Sequence, residues 1–231
     1  MIEIKNLQKI YGGKKVVDIE HLVIEDGETV GLAGNNGAGK TTMFRMLLDL
    51  IRADQGEILS KGENVAKNDH WKEYTASFLD EGFLIDYLTP EEYFKFIGSL
   101  KNMSEADVMN YMNQFTDFFN GEIMGRKKYI RDLSKGNQNK VGIAAALMQN
   151  PELLVLDEPF ANLDPSTQIR LKTIIKNQKQ EKRITTFISS HDLNHVTDVC
   201  DRIIVLEKGL IIKDFHTNEN SLKELESYFA E

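Results

Sequence analysis

The sequence predicts an α/β fold that combines a parallel sheet with an N-terminal antiparallel β flap and an inserted α-helical subdomain. Polar and apolar residues alternate along much of the first 33 residues, as they do in half-buried strands. From residue 134 onward, helical patterns alternate with short apolar runs, which is typical of a parallel sheet covered by helices. The region between is rich in aromatic and acidic residues and carries helix-capping signals.

Three strands are predicted before the first long helix, over residues 2–7, 16–24 and 28–33. The first two form the antiparallel flap, and the third is a core strand that runs directly into a glycine-rich turn. A helix follows over residues 40–50, with its apolar side formed by Met43, Met46, Leu47 and Leu50.

The inserted helical subdomain is predicted over residues 68–131. The stretch Thr-Pro-Glu-Glu at 89–92 supplies an N-cap, a proline in the first turn and a capping-box glutamate. Ser104 and Asp107 repeat this capping pattern, so two helices are expected. The remaining chain is assigned to a nucleotide-binding core over 1–67 and 132–215 and to a C-terminal helical tail over 216–231.

Beyond Ser134 the chain is predicted to alternate regularly between helices and strands. Asn150-Pro151 ends the first of these helices, because the residue before a proline avoids the helical conformation. The apolar run at 153–156 is typical of a strand buried on both faces. The expected order is a helix over 135–149, that strand, a helix from 165, a strand over 184–188, a short helix from 192, a strand over 203–206 and a terminal helix over 221–229.

Length and composition indicate one large domain with an ordinary globular core, since the 231 residues are 41% hydrophobic and 28% charged. A net charge of −8 argues against a protein whose main function is to bind the phosphates of nucleic acid. No apolar stretch reaches the roughly 18 residues of a spanning helix, and the N-terminus lacks a signal-peptide core, so we expect a cytoplasmic protein. Cys200 is the only cysteine, which excludes an intramolecular disulfide.

One motif predicts a phosphate-binding loop. It matches the pattern G-x-x-x-x-G-K-[ST], and it stands between a predicted strand and a predicted helix, as this loop requires. Its backbone amides and the helix N-terminus attract a phosphate, and Lys40 is expected to neutralise β- and γ-phosphate charge. Thr41 takes the magnesium position and Thr42 an α-phosphate position. The ATP-binding residues of the motif are Gly34, Asn35, Asn36, Gly37, Ala38, Gly39, Lys40, Thr41 and Thr42.

Two acidic residues, Asp157 and Glu158, follow the apolar run at 153–156. They are therefore placed at the carboxyl edge of the sheet, where open α/β folds bind their ligands. Asp157 is expected to bind Mg²⁺. Glu158 is the candidate that polarises water for attack on the γ-phosphate.

The segment Leu133-Ser134-Lys135-Gly136-Asn137 stands before this acidic strand, and Ser134 is suited to capping the helix that follows. It resembles the signature LSGGQ of the ABC family of ATPases, with Lys135 in place of a glycine and Asn137 in place of the glutamine. The resemblance implies that this segment, with Ser134, Lys135, Gly136 and Asn137, closes over the γ-phosphate held by a second subunit.

Other positions of the ABC family occur in the expected order along nearly the whole chain. Tyr11 resembles the aromatic residue that stacks on adenine, and His191 resembles the switch histidine that senses the γ-phosphate. Asp164 resembles the aspartate of the D-loop, although before Pro165 it also suits an N-cap, and both interpretations are compatible. Asp80 occupies the position of the Q-loop glutamine as a possible Mg²⁺ ligand, with Glu81 as the alternative.

The resemblance implies an ATPase with ATP and Mg²⁺ as cofactors, which works as a homodimer or heterodimer of nucleotide-binding subunits. A separate integral membrane permease is the expected further partner, most like those of exporter-type members, which places the protein at the inner face of the cell membrane. One alternative is a soluble ABC ATPase of an assembly complex without a permease. Another is a P-loop enzyme of a different class, such as a small-molecule kinase, which needs no signature.

Overall fold

The computed structural model describes residues 1–79 and 81–230, and it contains two sheets. The predicted N-terminal flap is confirmed, because the first two strands pair antiparallel, with Ile4 opposite Leu22. Two further strands extend this flap. In spatial order it consists of β2 (Lys14–Ile24), β1 (Ile2–Tyr11), β4 (Gln55–Ser60) and β5 (Glu63–Asn64).

The second sheet has six strands, of which five run parallel and one edge strand runs antiparallel. The three central strands are almost fully buried, as the apolar run at 153–156 predicts. In spatial order the sheet consists of β10 (Leu210–His216), β9 (Arg202–Glu207), β3 (Thr29–Ala33), β8 (Thr185–Ser190), β7 (Leu153–Leu156) and β6 (Thr75–Phe78).

Helices connect these strands, and their bounds agree closely with the capping signals in the sequence. The described helices are α1 (Lys40–Leu47), α2 (Pro90–Leu100), α3 (Glu105–Gln114), α4 (Thr116–Phe119), α5 (Lys135–Met148), α6 (Pro165–Lys182), α7 (Leu193–Val199) and α8 (Ser221–Ala230). Short 3₁₀ turns occupy His70–Glu73, Glu81–Phe83 and Ile130–Asp132. No helix in the described ranges combines the length and apolar character needed to cross a lipid bilayer.

Both predicted capping boxes form in the inserted segment. The hydroxyl of Thr89 accepts a hydrogen bond from the amide of Glu92, and Ser104 does the same for Asp107. The carboxylate of each acid in turn accepts a hydrogen bond from the backbone amide of its N-cap residue. Two amides at each helix start, which have no partner within the helix, are therefore hydrogen-bonded. The aromatic residues of this segment pack on one another, with the ring centroids of Phe94 and Phe119 5.8 Å apart.

The start of the helical segment needs correction. Residues 75–78, inside the predicted 68–131 helical subdomain, form strand β6, which pairs in parallel with β7 at the edge of the six-stranded sheet. The first α-helix of this segment begins only at Pro90. A strand of four residues carries too little periodicity to stand out from its neighbours, and its pairing partner lies about 80 residues further along the chain. The division into a core and a helical subdomain otherwise stays a prediction.

The core has two layers, one on each face of the six-stranded sheet. On one face, α1 is enclosed between the two sheets, and its fully buried Phe44 meets Phe187 of β8 edge to face at 5.8 Å between ring centroids. On the other face, α5, α6, α7 and the inserted helices cover the sheet. The carboxyl ends of the parallel strands are therefore held at one rigid edge.

Candidate active site

The glycine-rich turn between β3 and α1 is shaped by close backbone contacts. Gly39 caps α1 with a φ of 110°, and a Cβ atom there would lie 2.5 Å from the carbonyl oxygen of Val16. Only glycine tolerates both conditions. The amide of Ala38 donates to the carbonyl of Asn35 at 3.0 Å, which closes the turn. The loop is thus fixed by its own hydrogen bonds and by its approach to β2.

The hairpin between β9 and β10 supports this turn from behind. The amide of Gly209 donates to the carbonyl of Ala38 at 2.9 Å. A Cβ atom at Gly34 would lie 2.4 Å from the carbonyl oxygen of Leu206, so the loop rests directly on the end of β9. The sequence did not indicate this support, because it joins segments about 170 residues apart.

Lys40 is the first residue of α1, and its side chain lies over the turn. Its ammonium donates to the carbonyl of Gly34 at 2.6 Å and to that of Asn35 at 3.4 Å, and it is 3.5 Å from Oε1 of Glu158. The residue is only 6% exposed. This buried ammonium, with two carbonyl acceptors and one carboxylate neighbour, borders an open cleft of about 300 Å³. The cleft is lined by Val16, Asn36, Gly37, Ala38, Gly39, Lys40, Thr41, Thr42 and Glu158.

Thr41 and Asp157 bring two oxygen atoms together at the floor of the site. The hydroxyl of Thr41 donates to Oδ2 of Asp157 at 2.6 Å, and the hydroxyl of Ser189 donates to the other carboxylate oxygen. Burial raises the pKa of Asp157, and these two hydrogen bonds oppose the shift by stabilising the charged form. The start of α1 and the carboxyl ends of the neighbouring strands β8 and β7 therefore meet at one carboxylate.

These two residues fit a magnesium ion. A hydroxyl and a carboxylate oxygen are the hard ligands that Mg²⁺ prefers, and it usually takes its other ligands from water and phosphate. Within the described residues, no three His, Cys, Asp or Glu side chains converge as a complete protein site. Asp80, the third predicted ligand, lies outside the described residues.

Glu158 follows β7 in a left-handed conformation, with φ at 48°, and this turn directs its carboxylate into the cleft. Its amide donates to the hydroxyl of Ser189 at 2.8 Å. Its Oε2 lies 2.8 Å from Nδ1 of His191 and accepts the amide of His191 at 3.3 Å. The carboxylate is thus held between a histidine on one side and Lys40 on the other.

Ser189 is a site residue that the sequence analysis missed. Its hydroxyl donates to Asp157 and accepts from the amide of Glu158, so it sets the direction of both acids. The sequence did contain a clue, because Ser189 precedes His191 by only two residues. Ser189 lies at the carboxyl end of β8, the strand beside β7. Strand order was needed to place it next to Asp157.

The predicted signature residues form a second surface with the segment around Asp164. Ser134 caps α5 and accepts the amide of Asn137 at 3.3 Å. Gly136 approaches the next segment so closely that a Cβ atom would lie 2.4 Å from the carbonyl oxygen of Asn162. Asn139 then donates to the carbonyl of Ala161 at 2.8 Å. The start of α5 and residues 161–162 are therefore locked together.

The N-cap expected at Asp164 is confirmed. Its carboxylate accepts hydrogen bonds from Ser166 and from both the hydroxyl and the amide of Thr167. These bonds hold the pKa of Asp164 well below its usual range. These hydrogen bonds therefore fix the chain at Asp164, where residues 161–164 lead into α6.

Tyr11 stands apart from these clusters, at the end of β1. It is 50% exposed, and the ammonium of Lys9 lies 5.3 Å from its ring centroid. An exposed aromatic face beside a cation offers a stacking surface.

The chain is similar in sequence and in fold to known proteins. The sequence profile of the family described as "ABC transporter" matches residues 18–161. The chain is 33% identical over 230 residues to the ABC transporter ATP-binding protein YhaQ of Bacillus subtilis, covering 100% of this chain and 74% of that protein. It is also 33% identical to the bacitracin transport ATP-binding protein BcrA of Bacillus licheniformis, covering 98% and 74%. The fold matches the dimeric structure of the bacterial ABC transporter cassette MJ0796 with a TM-score of 0.84 and 25% identity, over 94% of this chain and 99% of that one.

Proposed function

Because this chain belongs to the ABC transporter family and is one of its ATP-binding, ATP-hydrolysing domains, we propose that it works as a dimer that drives a separate membrane permease. Two such domains close on ATP, hydrolysis reopens them, and the movement is transmitted to the permease. Closure is favoured when ATP makes contacts in the closed state that it lacks in the open one. The observation that supports the proposal most directly is the position of Glu158.

Glu158 is the catalytic base in this scheme. Its carboxylate lies between Lys40 and His191, at the edge of the cleft that the glycine-rich turn borders. Lys40 neutralises charge on the β- and γ-phosphates, Glu158 polarises the attacking water, and His191 contacts the γ-phosphate. The remaining residues of the turn bind phosphate through their amides, Thr42 contacts the α-phosphate, and Tyr11 stacks on adenine.

Mg²⁺ is the proposed cofactor beside ATP. The hydroxyl of Thr41 and the carboxylate of Asp157 would hold it, with Asp80 as a further oxygen ligand. When bound, the ion would neutralise charge on the β- and γ-phosphates. Ser189 keeps the Asp157 carboxylate directed toward this position.

A second copy or a paralogous domain would complete the site. Ser134, Lys135, Gly136 and Asn137 present a helix N-terminus at the surface, which suits the γ-phosphate of ATP held by the partner. Asp164 belongs to the segment that is locked against this surface. The dimeric structure reported for the cassette MJ0796 supports this arrangement.

The permease is proposed to contact an apolar groove between β6, α5 and the turn at 81–83. The groove has a volume of about 260 Å³, and its apolar lining includes Leu50 and Phe83, which are 49% and 54% exposed. Apolar side chains this exposed are suited to burial against a helical segment of another protein. The groove borders Phe78 and Leu79, which directly precede Asp80 in the sequence. Binding of the permease there would therefore be transmitted to the nucleotide site.

This contact would hold the protein at the inner face of the membrane. A soluble ABC ATPase of an assembly complex is the alternative function. Purification with a hydrophobic membrane partner favours transport, whereas a stoichiometric soluble partner favours the alternative.

The test is ATP hydrolysis by the purified chain over a range of protein concentrations, beside the Glu158→Gln variant followed by sedimentation with ATP and Mg²⁺. We expect parent activity to rise faster than linearly with protein concentration and the variant to accumulate ATP-bound dimers. A monomer that turns over at a concentration-independent rate, or a Glu158→Gln protein as active as the parent, would contradict the proposal.

A further inference from the structure

Basic residues are concentrated directly before the signature segment, although the chain as a whole carries a net charge of −8. We call residues 126–135 the basic segment. It contains one acidic residue, Asp132, and five basic residues: Arg126, Lys127, Lys128, Arg131 and Lys135. All five are exposed. Two copies of an acidic protein repel each other on average, so a local positive surface of this kind affects how they approach.

Folding leaves much of this charge unneutralised. The guanidinium of Arg126 donates to the backbone carbonyl of Gly121, and that of Arg131 packs over the ring of Tyr129, 4.0 Å from its neighbour Asp132. Lys127 and Lys128 form no ion pair within the part of the chain that the structure describes.

Two lysines of α6 behave differently. Lys172 and Lys176 on α6 both pair with Asp198, at 2.9 and 2.6 Å. Those pairs fasten α6 to α7 within the fold. Lys127 and Lys128 make no comparable ion pair with any residue that the structure describes.

The basic segment is also fixed in position beside Ser134. The amide of Ile130 donates to the carbonyl of Leu88 at 2.8 Å, and the amide of Arg131 donates to that of Asp86 at 2.9 Å. From the other side, the buried amide of Gln138 on α5 donates to the carbonyl of Ile130 at 3.0 Å. Ile130 itself is buried. The backbone of Ile130 and Arg131 is therefore held in place close to the exposed N-terminus of α5.

We propose that the basic segment is an electrostatic docking surface for the ATP-loaded face of a second copy of this chain. This inference rests on the proposed function, in which Ser134 meets ATP held by the partner's glycine-rich turn. That face is negative, because it carries the ATP phosphates and the carboxylate of Asp157, which both remain in the Glu158→Gln protein. Lys127, Lys128 and Arg131 carry the opposite charge and precede Ser134 by only three to seven residues. Bound ATP therefore makes the glycine-rich face of one copy complementary in charge to the basic segment of the other. Without ATP, the attraction between these two surfaces is weaker.

Charge complementarity of this type acts mainly on the rate of association and on its salt dependence. Neutralising Lys127 and Lys128 together should raise the dissociation constant of the ATP-bound dimer about tenfold at low salt, as expected for two rim charges. The difference should shrink above about 0.5 M NaCl, where screening acts within about 4 Å. Binding of ATP to the monomer should not change, because both lysines belong to the surface offered to the partner.

The experiment compares two double variants in the Glu158→Gln background by sedimentation with ATP and Mg²⁺ at low and high salt. The test protein carries Lys127→Gln and Lys128→Gln. The control carries Lys67→Gln and Lys223→Gln, two exposed lysines outside the segment, so both proteins undergo the same change in net charge. Weaker dimers in the test protein alone, at low salt alone, are the expected result.

Three results would overturn the inference. Equal weakening in the control would show that only net charge matters. Unchanged dimerisation, with a loss of binding to phosphatidylserine vesicles, would assign the segment to a membrane surface instead. Absence of ATP-dependent dimers in the Glu158→Gln protein itself would refute the proposed function and this inference together, whereas the first two results leave the proposed function intact.

Discussion

The carboxylate of Glu158 joins His191 to Lys40: one oxygen lies 2.8 Å from Nδ1 of the histidine and the other 3.5 Å from the lysine ammonium. Because Glu158 turns out of β7 in a left-handed conformation, its direction depends on these neighbours and on Ser189 below it. A base held on both sides presents its oxygen atoms in one geometry, which is the condition for positioning a water molecule.

Replacing His191 should slow hydrolysis more than it weakens ATP binding. His191→Ala removes the side chain that holds Oε2 of Glu158, and we expect kcat to fall about 100-fold, at the low end of the effect of general acid–base groups. Steady-state kinetics and equilibrium binding of ATP would separate the two effects. His216→Ala, at the exposed end of β10, is the control. Unchanged kcat in His191→Ala would show that the contact with Glu158 is incidental.

Replacing Asp157 by asparagine should stabilise the nucleotide-free protein while it abolishes Mg²⁺-dependent hydrolysis. Burial raises the pKa of this carboxyl, so above the unfolded pKa its ionisation favours the unfolded chain. Removing the charge should raise the melting temperature at pH 7 by about 2–4 °C, which corresponds to about 1 kcal/mol in a domain of this size. Scanning calorimetry without nucleotide measures it, with Asp69→Asn at an exposed position as control. A clearly lower melting temperature would contradict the assigned cost of burial.

Gly136→Ala should disturb the contact between α5 and residues 161–162. Alanine normally stabilises a helix relative to glycine, but here its Cβ would lie 2.4 Å from the backbone oxygen of Asn162. We expect a loss of about 1–3 kcal/mol in the free energy of unfolding and a larger loss of dimer-dependent hydrolysis. Urea titration and ATPase assays test this.

The control for that prediction is Gly98→Ala. Its Cβ would meet Cγ2 of Val108 at 2.4 Å, inside the helical segment and away from Asn162. The control should lose stability but keep its hydrolysis rate per folded molecule. Equal loss of hydrolysis in both variants would show that Gly136 acts through stability alone.

His195 should make the protein less stable in mild acid. Its ring stacks on Phe160 at 4.4 Å between centroids, and burial lowers its pKa against the opposing effect of Asp192. The unfolded chain therefore takes up a proton below about pH 6.5 that the folded protein resists, so stability falls as the pH falls through that range. The pKa also responds to Lys172, Asp198 and Glu158.

His195→Phe keeps an aromatic ring against Phe160 and cannot be protonated. Its free energy of unfolding should therefore fall less than that of the parent between pH 7.5 and pH 5.5, as measured by urea titration. His216→Gln, at an exposed histidine, should follow the parent. An identical slope in all three proteins would exclude His195 as the source.

Local signals in the sequence predicted much of the fold and the main parts of the site. The caps at Thr89, Ser104, Ser134 and Asp164 all form, because each depends on atoms within three residues along the chain. The glycine-rich turn and the acids that end β7 were equally visible. Their catalytic roles stay predictions, as does the role of Asp80.

By itself, the sequence determined which segments are strands and helices in most of the chain, and where the helices begin. Those features arise from periodicity and from hydrogen bonds between near neighbours. Only the tertiary structure decided that Ser189 directs Asp157, that β6 closes the edge of the sheet and that Gly209 supports Ala38. Each of these contacts joins residues more than 30 positions apart, and strand order, which no local pattern encodes, brings them together.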